Sequence, residues 1–273
     1  MDWNGHVAIV TGAGSGIGQG VAECFAEAGA EVVIAELNRS RGQAVAEDLQ
    51  KRYGKGLFLQ TDVSKDADCK AVIQYAVQTC GHLDTLVNNA GVNFVKPTLE
   101  MDLADWDRVV NVDLRGTFLC SRYALEVMAR QRHGNIINIA SVHTLATLPE
   151  AAPYAAAKGG VVALTRALAI EFAALGIRVN AVSPGLTDTQ IWQDIQNAAT
   201  DAEEVRRHWF DNIPMERVQS SREVGNVALF LASDQSSYIT GANIVTDGGM
   251  TAQLTSRTRY ASKPLEGKAQ GRD

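Results

Sequence analysis

Residues 7–18 read Val7-Ala-Ile-Val-Thr-Gly-Ala-Gly-Ser-Gly-Ile-Gly18. The first five are apolar or β-branched and predict a strand, and the glycines after them predict a tight turn. Beyond the turn, apolar residues recur at helical spacing from Ile17 to Ala28, so a helix follows. The helix N-terminus after such a turn presents backbone amides and a positive dipole to an anion. The stretch therefore predicts a βα unit that binds the pyrophosphate of a dinucleotide.

A second apolar run, residues 31–35, ends in Glu36. A carboxylate at this position can hold both ribose hydroxyls of an adenosine, and it would repel a 2′-phosphate. Neither Ser15 in the turn nor Leu37 after the acid supplies a cation to offset that repulsion, although Arg39 is close enough in sequence to weaken the argument. We therefore expect NAD rather than NADP as the cofactor.

Two further strands are predicted at residues 56–60 and 83–87, each ending in polar or small residues. The residues that follow them include Asp62, Val63 and Asn88-Asn89-Ala90-Gly91. Strand ends of this kind suit cofactor contact in a parallel sheet. The structural alternative is that the aspartate caps the next helix and the asparagines satisfy backbone groups between strands. We expect both roles, with the structural one dominant for Asn88.

A hydroxyl, a phenol and an ammonium follow at Ser141, Tyr154 and Lys158. Residues four apart on a helix share a face, with Cβ atoms about 6 Å apart. Lys158 is therefore predicted to lie beneath the Tyr154 ring, where its charge favours the phenolate and lets the tyrosine act as a base. An isolated Tyr-x-x-x-Lys is more often a core aromatic beside a solvated lysine, but the upstream dinucleotide-binding pattern favours the catalytic interpretation.

Together these residues resemble the short-chain dehydrogenase/reductase family, from about Val7 to Gly249. The elements in the family's order and spacing are Thr11-Gly-x-x-x-Gly-x-Gly18, Asn88-Asn-Ala-Gly91, Asn111, Ser141, Tyr154 with Lys158, Ser183-Pro-Gly185 and Asp247-Gly-Gly249. The resemblance implies hydride transfer between nicotinamide C4 and a carbinol carbon, with Tyr154 as general base or acid. It further implies that Ser141 hydrogen-bonds the reacting oxygen, that Lys158 also holds the nicotinamide ribose, and that Asn111 anchors a water in a proton relay.

We accordingly predict a catalytic set of four residues, Asn111, Ser141, Tyr154 and Lys158. Cofactor contacts are expected at Gly12, Ser15, Gly16, Ile17, Gly18, Glu36, Asp62, Val63, Asn89, Ala90, Gly91, Tyr154, Lys158, Pro184, Gly185, Thr187 and Thr189. Substrate contacts are expected at Asn93, Ser141, His143, Tyr154 and Trp192. A histidine at position 143 is similar to the pattern in bacterial glucose and related sugar dehydrogenases of the family, which favours polyhydroxylated substrates. The alternative is an ordinary loop histidine.

The whole chain of 273 residues is predicted to form one doubly wound Rossmann domain of the α/β class, with a seven-stranded parallel sheet flanked by helices. We expect the catalytic domain at residues 1–249, including a lid at residues 189–218. Residues 250–273 are expected to form a C-terminal extension that packs on a neighbouring subunit of a homodimer or homotetramer. Its basic residues would favour an anionic substrate if it reached that subunit's pocket.

Composition bounds the function further. The formal net charge of −6 argues against nucleic-acid and anionic-membrane partners. The four cysteines show no C-x-x-C spacing and the five histidines are scattered, so no metal site is predicted and the thiols are expected to be reduced. The first strand begins too early to leave room for a signal peptide, and a cytoplasmic location is expected.

The resulting hypothesis is an NAD-dependent dehydrogenase of carbohydrate metabolism that oxidises a secondary alcohol or hemiacetal hydroxyl of a sugar or polyol. One alternative is a reductase of 3-oxoacyl thioesters on a carrier protein, or of another ketone. The other is a cofactor-binding scaffold without turnover, which the intact Ser141, Tyr154 and Lys158 disfavour.

Overall fold

The computed structural model describes residues 3–256. Its centre is a sheet of seven parallel strands in the order β3-β2-β1-β4-β5-β6-β7. The strands are β1 Val7–Thr11, β2 Glu31–Glu36, β3 Leu57–Gln60, β4 Thr85–Asn88, β5 Gly134–Ile139, β6 Ile177–Pro184 and β7 Asn243–Thr246. The predicted seven-stranded parallel sheet in a doubly wound α/β domain is confirmed. Residues 257–273, most of the predicted C-terminal extension, lie outside the described residues.

Helices connect the strands and cover both faces of the sheet. They are α1 Gly16–Ala28, α2 Arg39–Tyr53, α3 Asp66–Cys80, α4 Leu103–Val109, α5 Gly116–Gln131, α6 Ala152–Phe172, α7 Gln190–Ala198, α8 Ala202–Asp211 and α9 Ser221–Ala232. Between α4 and α5 the backbone forms a π-helical segment, Val110–Arg115. The segment predicted as a lid contains α7 and α8.

The sheet is buried because its strands carry apolar side chains on both faces, as parallel sheets require. Ala8 and Val10 of β1 point into one core, which α1 closes with Phe25. Val7 and Ile9 point into the other core, beneath α3 and α5. All five residues of β1 are buried. β1 is therefore held in the middle of the domain. Its burial also fixes the position of the glycine turn that follows it.

α1 and α9 pack closely because glycines lie at their crossing. A Cβ atom added at Gly225 would lie 2.6 Å from Cys24 Sγ and 2.8 Å from the Gly20 carbonyl oxygen, and one added at Gly20 would meet Ser221 at 2.6 Å. Such distances leave no room for a side chain. Because α1 follows β1 after a turn of four residues, its N-terminus lies at the carboxyl edge of the sheet.

The chain reverses its direction of travel across the sheet between β1 and β4, since β2 and β3 lie on one side of β1 and the later strands on the other. Ligands of open α/β sheets bind outside the carboxyl ends of the strands at such a switch point. No helix within residues 3–256 is both long enough and apolar enough to cross a membrane.

Candidate active site

The glycine turn after β1 is shaped for close backbone approach. Gly12 and Gly16 have positive φ angles of 63° and 56°, a region that disfavours residues with a Cβ atom. A Cβ atom on Gly12 would also lie 2.8 Å from the Ala90 Cα atom. Ser15 is the N-cap of α1, yet its side chain makes no capping hydrogen bond. The amides of the first turn of α1 are therefore not capped by that hydroxyl, which leaves them suited to an anionic ligand.

Hydrogen bonds tie the turn to the end of β4. The Thr11 hydroxyl accepts from the backbone N–H groups of Asn89 and Ala90, both at 3.0 Å. The Asn89 side-chain amide donates to the carbonyl oxygens of Thr11 and Gly12, both at 3.0 Å. Asn88, by contrast, is buried and donates to Ser121 and Asn138. The first asparagine thus braces the sheet, while the second shapes the cleft.

Glu36 holds its carboxylate against the same turn. Its Oε2 atom accepts from the Gly14 backbone N–H at 3.0 Å, and its Oε1 atom accepts from the Asn38 backbone N–H at 2.9 Å. A Cβ atom on Gly14 would lie 2.7 Å from Glu36 Cγ, so the glycine makes room for the acid. The carboxylate is therefore fixed at the carboxyl end of β2, as the sequence predicts.

Asp62 lies where β3 ends and the chain turns toward α3. Its carboxylate accepts from the Ser64 backbone N–H at 3.1 Å and from the Ser64 hydroxyl at 2.6 Å. Partial burial opposes ionisation, but these bonds and the Lys65 ammonium outweigh it and hold the pKa of Asp62 below its usual range. The residue both orders its loop and lines the cleft.

Tyr154 and Lys158 lie on α6, whose first turn contains Pro153. The Lys158 Nζ atom is 5.6 Å from the centroid of the Tyr154 ring and donates to the Ile139 carbonyl oxygen at 3.1 Å. Lys158 is 4% exposed and Tyr154 is half-buried. A buried ammonium beneath the ring is the arrangement that favours a phenolate.

The loop after β5 brings two more predicted residues to the phenol. Ser141 is buried, and its hydroxyl accepts from the His143 backbone N–H at 3.2 Å. The His143 ring stands edge-on to the Tyr154 ring, with centroids 5.1 Å apart and planes at 88°. Its Nδ1 atom lies 2.8 Å from the Thr147 hydroxyl. Burial lowers the pKa of His143, so the ring is neutral near pH 7.

Asn111 is placed differently from the other three predicted catalytic residues. It lies in the π-helical segment, where its carbonyl oxygen accepts from the Gly116 backbone N–H, and it is not among the residues that line the cleft. The side chain that reaches Lys158 from this segment is Asp113, with Oδ2 3.3 Å from Nζ. Asp113 is completely buried and lines the cleft. The sequence reasoning missed this residue.

These side chains surround one cleft of about 590 Å³ at the carboxyl ends of the strands. Apart from Gly18, which is buried beneath the turn, every predicted cofactor residue lines it, and so do all five predicted substrate residues. Gly12, Gly16, the α1 N-terminus and Glu36 thus line one cleft, with the groups that a dinucleotide's pyrophosphate and ribose require. The far wall adds side chains that were not predicted as contacts, namely Val142, Thr147, Leu148, Gln190, Ile191, Ile195, Trp209 and Met250.

Comparison with known proteins gives the family. Residues 12–251 match the family model described as enoyl-(acyl carrier protein) reductase. A solved structure of a short-chain type dehydrogenase/reductase from Mycobacterium marinum superposes with a TM-score of 0.86 at 34% identity, covering 92% of this chain and 98% of the other. The protein is a short-chain dehydrogenase/reductase.

Curated relatives of this dehydrogenase/reductase agree. It is 39% identical over 251 residues to an uncharacterized oxidoreductase of Thermotoga maritima, with 92% of this chain and 97% of the relative aligned. It is 38% identical over 253 residues to glucose 1-dehydrogenase 2 of Bacillus subtilis, with 92% and 96% aligned. The predicted family membership is confirmed, and the protein is an oxidoreductase.

Proposed function

We propose that the protein is an NAD-dependent dehydrogenase that oxidises a secondary alcohol or hemiacetal hydroxyl of a sugar or polyol. The observation that carries this proposal is the buried Lys158 ammonium 5.6 Å from the Tyr154 ring, at the edge of a cleft built from the glycine turn. A bound nicotinamide supplies a carbon that accepts or donates hydride. The protein then has to hold the cofactor, place the alcohol and move one proton.

The proton is assigned to Tyr154. Its phenolate, stabilised by Lys158, takes the proton of the substrate hydroxyl as hydride leaves the carbinol carbon, and returns it in the reverse reaction. Ser141 lines the same cleft, and we assign its hydroxyl to hydrogen-bond the reacting oxygen. Holding both groups in fixed positions lowers the entropic cost of aligning the substrate.

The preference for NAD rests on Glu36. The carboxylate lies where the adenosine ribose would be held, and each of its oxygens retains lone pairs after accepting one backbone N–H. Among the residues that line the cleft, Lys158 is the only lysine or arginine, and it is engaged with Asp113 and the Ile139 carbonyl oxygen. A 2′-phosphate would meet Glu36 without a compensating cation.

The substrate end of the cleft favours a neutral molecule with hydroxyl groups and one apolar face. His143, Thr147 and Asn93 offer hydrogen-bonding groups there. Trp192 on α7 is buried against the cleft, and Trp209 on α8 lines it as well. Sugar rings stack on aromatic faces through their C–H groups while their hydroxyls bond to polar side chains. The similarity to a Bacillus subtilis glucose 1-dehydrogenase supports this substrate class.

A second candidate is a reductase of 3-oxoacyl thioesters or another apolar ketone. The matching family model is described as an enoyl-(acyl carrier protein) reductase, which supports an acyl thioester as the substrate class. The wall formed by Leu148, Ile191, Ile195 and Met250 also suits an acyl chain. This alternative is weakened if the cofactor is NAD, since biosynthetic reductases draw on NADPH.

A substrate panel separates the candidates. NAD and NADP reduction is measured at mildly alkaline pH with aldoses, sugar acids, polyols and simple secondary alcohols, and NADH and NADPH oxidation with 3-oxoacyl thioesters and ketones. The proposal predicts turnover with NAD and a neutral sugar or polyol. Turnover confined to thioesters or ketones would replace it with the second candidate, and the absence of any turnover would contradict both.

A further inference from the structure

Two loops contribute side chains to the substrate end of the cleft. The loop after β4 supplies Val92 and Asn93, and the loop after β5 supplies His143, Thr147 and Leu148. The shape of this end of the cleft therefore depends on how the two loops are held relative to each other.

The backbone of Lys96 joins the two loops. Its N–H donates to the Glu150 carbonyl oxygen at 3.0 Å. Within the described part of the chain, this is the only hydrogen bond between residues 89–101 and residues 140–151. Glu150 has a φ angle of 65°, a strained conformation for a residue with a Cβ atom, which persists only where its surroundings hold it. It lies two residues before α6, whose first turn contains Tyr154.

The side chain of Lys96 fastens the same loop to α4. Its Nζ atom donates to Asp105 Oδ2 at 2.7 Å, with the two side chains 34% and 21% exposed. This hydrogen bond raises the pKa of Lys96 and lowers that of Asp105, so both groups are charged near neutrality. The Asp105 backbone is fixed in the first turn of α4, where its N–H donates to the side chain of the N-cap Asp102 at 2.8 Å.

A second contact lies beside the ion pair. The guanidinium carbon of Arg108 lies 5.1 Å from the centroid of the Phe94 ring, within the range of a cation–π interaction. Asp105 and Arg108 are three residues apart on α4 and therefore share a face. The loop thus runs along one face of α4, which packs against both α6 and the π-helical segment. Asn93 is adjacent to this supported stretch.

We propose that Lys96 is a positioning residue that clamps the loop after β4 to α4 and to the loop after β5, and that this clamp sets the affinity for substrate. Lys96, Asp105 and Glu150 do not line the cleft. Their effect reaches the substrate through the neighbouring Asn93 and Leu148, which do. The proposal rests on the proposed function only in placing the substrate at this end of the cleft.

The test is the variant Lys96→Met, which removes the ammonium but keeps the aliphatic stem and the backbone N–H. Amide hydrogen exchange, measured by mass spectrometry on the cofactor-free protein, should become about two- to fivefold faster in residues 92–98 and 145–151, as expected for loss of a partly exposed ion pair. Exchange in β1 should not change. With the most active compound of the substrate panel, KM should rise by a similar factor, while kcat and the KM for the nicotinamide cofactor stay the same.

Three further variants separate the clamp from a general loss of charge. Asp105→Asn should reproduce both changes, and the double variant with Lys96→Met should add little, because the two charges act through one contact. Lys96→Arg keeps a cation and should move both readouts back towards the wild type. The matched control is Arg52→Met, which removes a cation from the exposed pair with Asp48 on α2, a helix that does not line the cleft. It should leave both readouts unchanged.

Unchanged exchange in folded Lys96→Met, or faster exchange without a rise in KM, would overturn the proposal. An equal weakening of cofactor binding would indicate general loosening and would overturn it as well. If Lys96→Met does not fold, Asp105→Asn carries the same test, and failure of both to fold would assign the ion pair to stability and overturn the proposal.

The exchange measurement does not require turnover, so the two proposals fail separately. A wild-type enzyme that turns over no compound of the panel would contradict the proposed function. Faster exchange confined to the two loops in Lys96→Met would then still support the clamp.

Discussion

Replacing Glu36 by glutamine tests the structural basis of cofactor choice. The change removes the negative charge that faces the adenosine ribose but keeps the length and shape of the side chain. Two unit charges about 4 Å apart interact by about 4 kcal/mol at the effective dielectric near a protein surface. Glu36 is half-buried in an open cleft, where solvent and salt screen it further. We therefore expect the NAD preference to weaken by about 1.4 to 2.8 kcal/mol, or about 10- to 100-fold.

Part of the change in the NAD preference should come from a lower kcat/KM for NAD. The Gly14 and Asn38 N–H groups donate to different oxygens of Glu36, and glutamine replaces one of those oxygens with an NH2 donor, so one of the two N–H groups loses its acceptor. The glycine turn should be held less firmly, and kcat/KM for NAD should fall while that for NADP rises. The separate changes in the two constants distinguish loosening of the turn from loss of repulsion.

The assay is kcat/KM for NAD and for NADP with one alcohol substrate at constant ionic strength. The matched control is Glu47→Gln on the exposed side of α2, where the carboxylate accepts only from Gln43 among the hydrogen bonds of the described chain. It should leave the ratio unchanged. A ratio in Glu36→Gln equal to that of the wild type would refute the assignment of cofactor choice to this carboxylate.

Two predictions concern stability. Burial lowers the pKa of His6 to about 4 from an ordinary value of 6.5, so the unfolded chain binds a proton that the folded protein does not. The free energy of unfolding should fall by about 3 kcal/mol from pH 6.5 to pH 4 on this account, and His6→Gln should reduce that fall in urea titrations. Gly225→Ala, whose Cβ would lie 2.6 Å from Cys24 Sγ, should destabilise the protein by about 1 to 3 kcal/mol in the same assay at pH 7; wild-type stability would contradict the tight α1–α9 crossing.

Much of the fold could be predicted from the sequence because its signals are local. The run of residues 7–18 contains a strand, a turn and a helix start whose conformations follow from residue type alone. Glu36 and Lys158 were predictable in position because each lies a fixed distance from such a signal, at a strand end or one helical turn after Tyr154. Strand edges were less certain. The predicted strand 83–87 is Thr85–Asn88 in the structure, although the Asp84 backbone still hydrogen-bonds to Val7 and Asn135 on the two neighbouring strands.

The placement of Asp113 could not be predicted in the same way. Sequence reasoning chose Asn111, the residue type that the resemblance implies, two positions earlier in the chain. A π-helical segment hydrogen-bonds with i→i+5 spacing, so it alters which side chains face a neighbouring element relative to a regular helix. No pattern of residues in the local sequence predicts such a π-helical segment. The contact with Lys158 also depends on the packing of α6, which lies about forty residues away in the chain.

The wall of the substrate pocket was partly beyond prediction for the same reason. Trp192 was expected there, but Trp209 and Thr147 reach the cleft only because α7, α8 and the loop after Ser141 fold over it together. The spacing of residues in the sequence does not record how such segments approach one another.

The most direct test of the account is the variant Tyr154→Phe, assayed for NAD-dependent turnover and for NADH binding by fluorescence. Removal of the hydroxyl takes away the proton acceptor and leaves the ring over Lys158. The account predicts loss of nearly all turnover, with NADH affinity close to that of the wild type. Retained turnover, or an equal loss of NADH binding, would contradict the assignment of Tyr154 as the catalytic base.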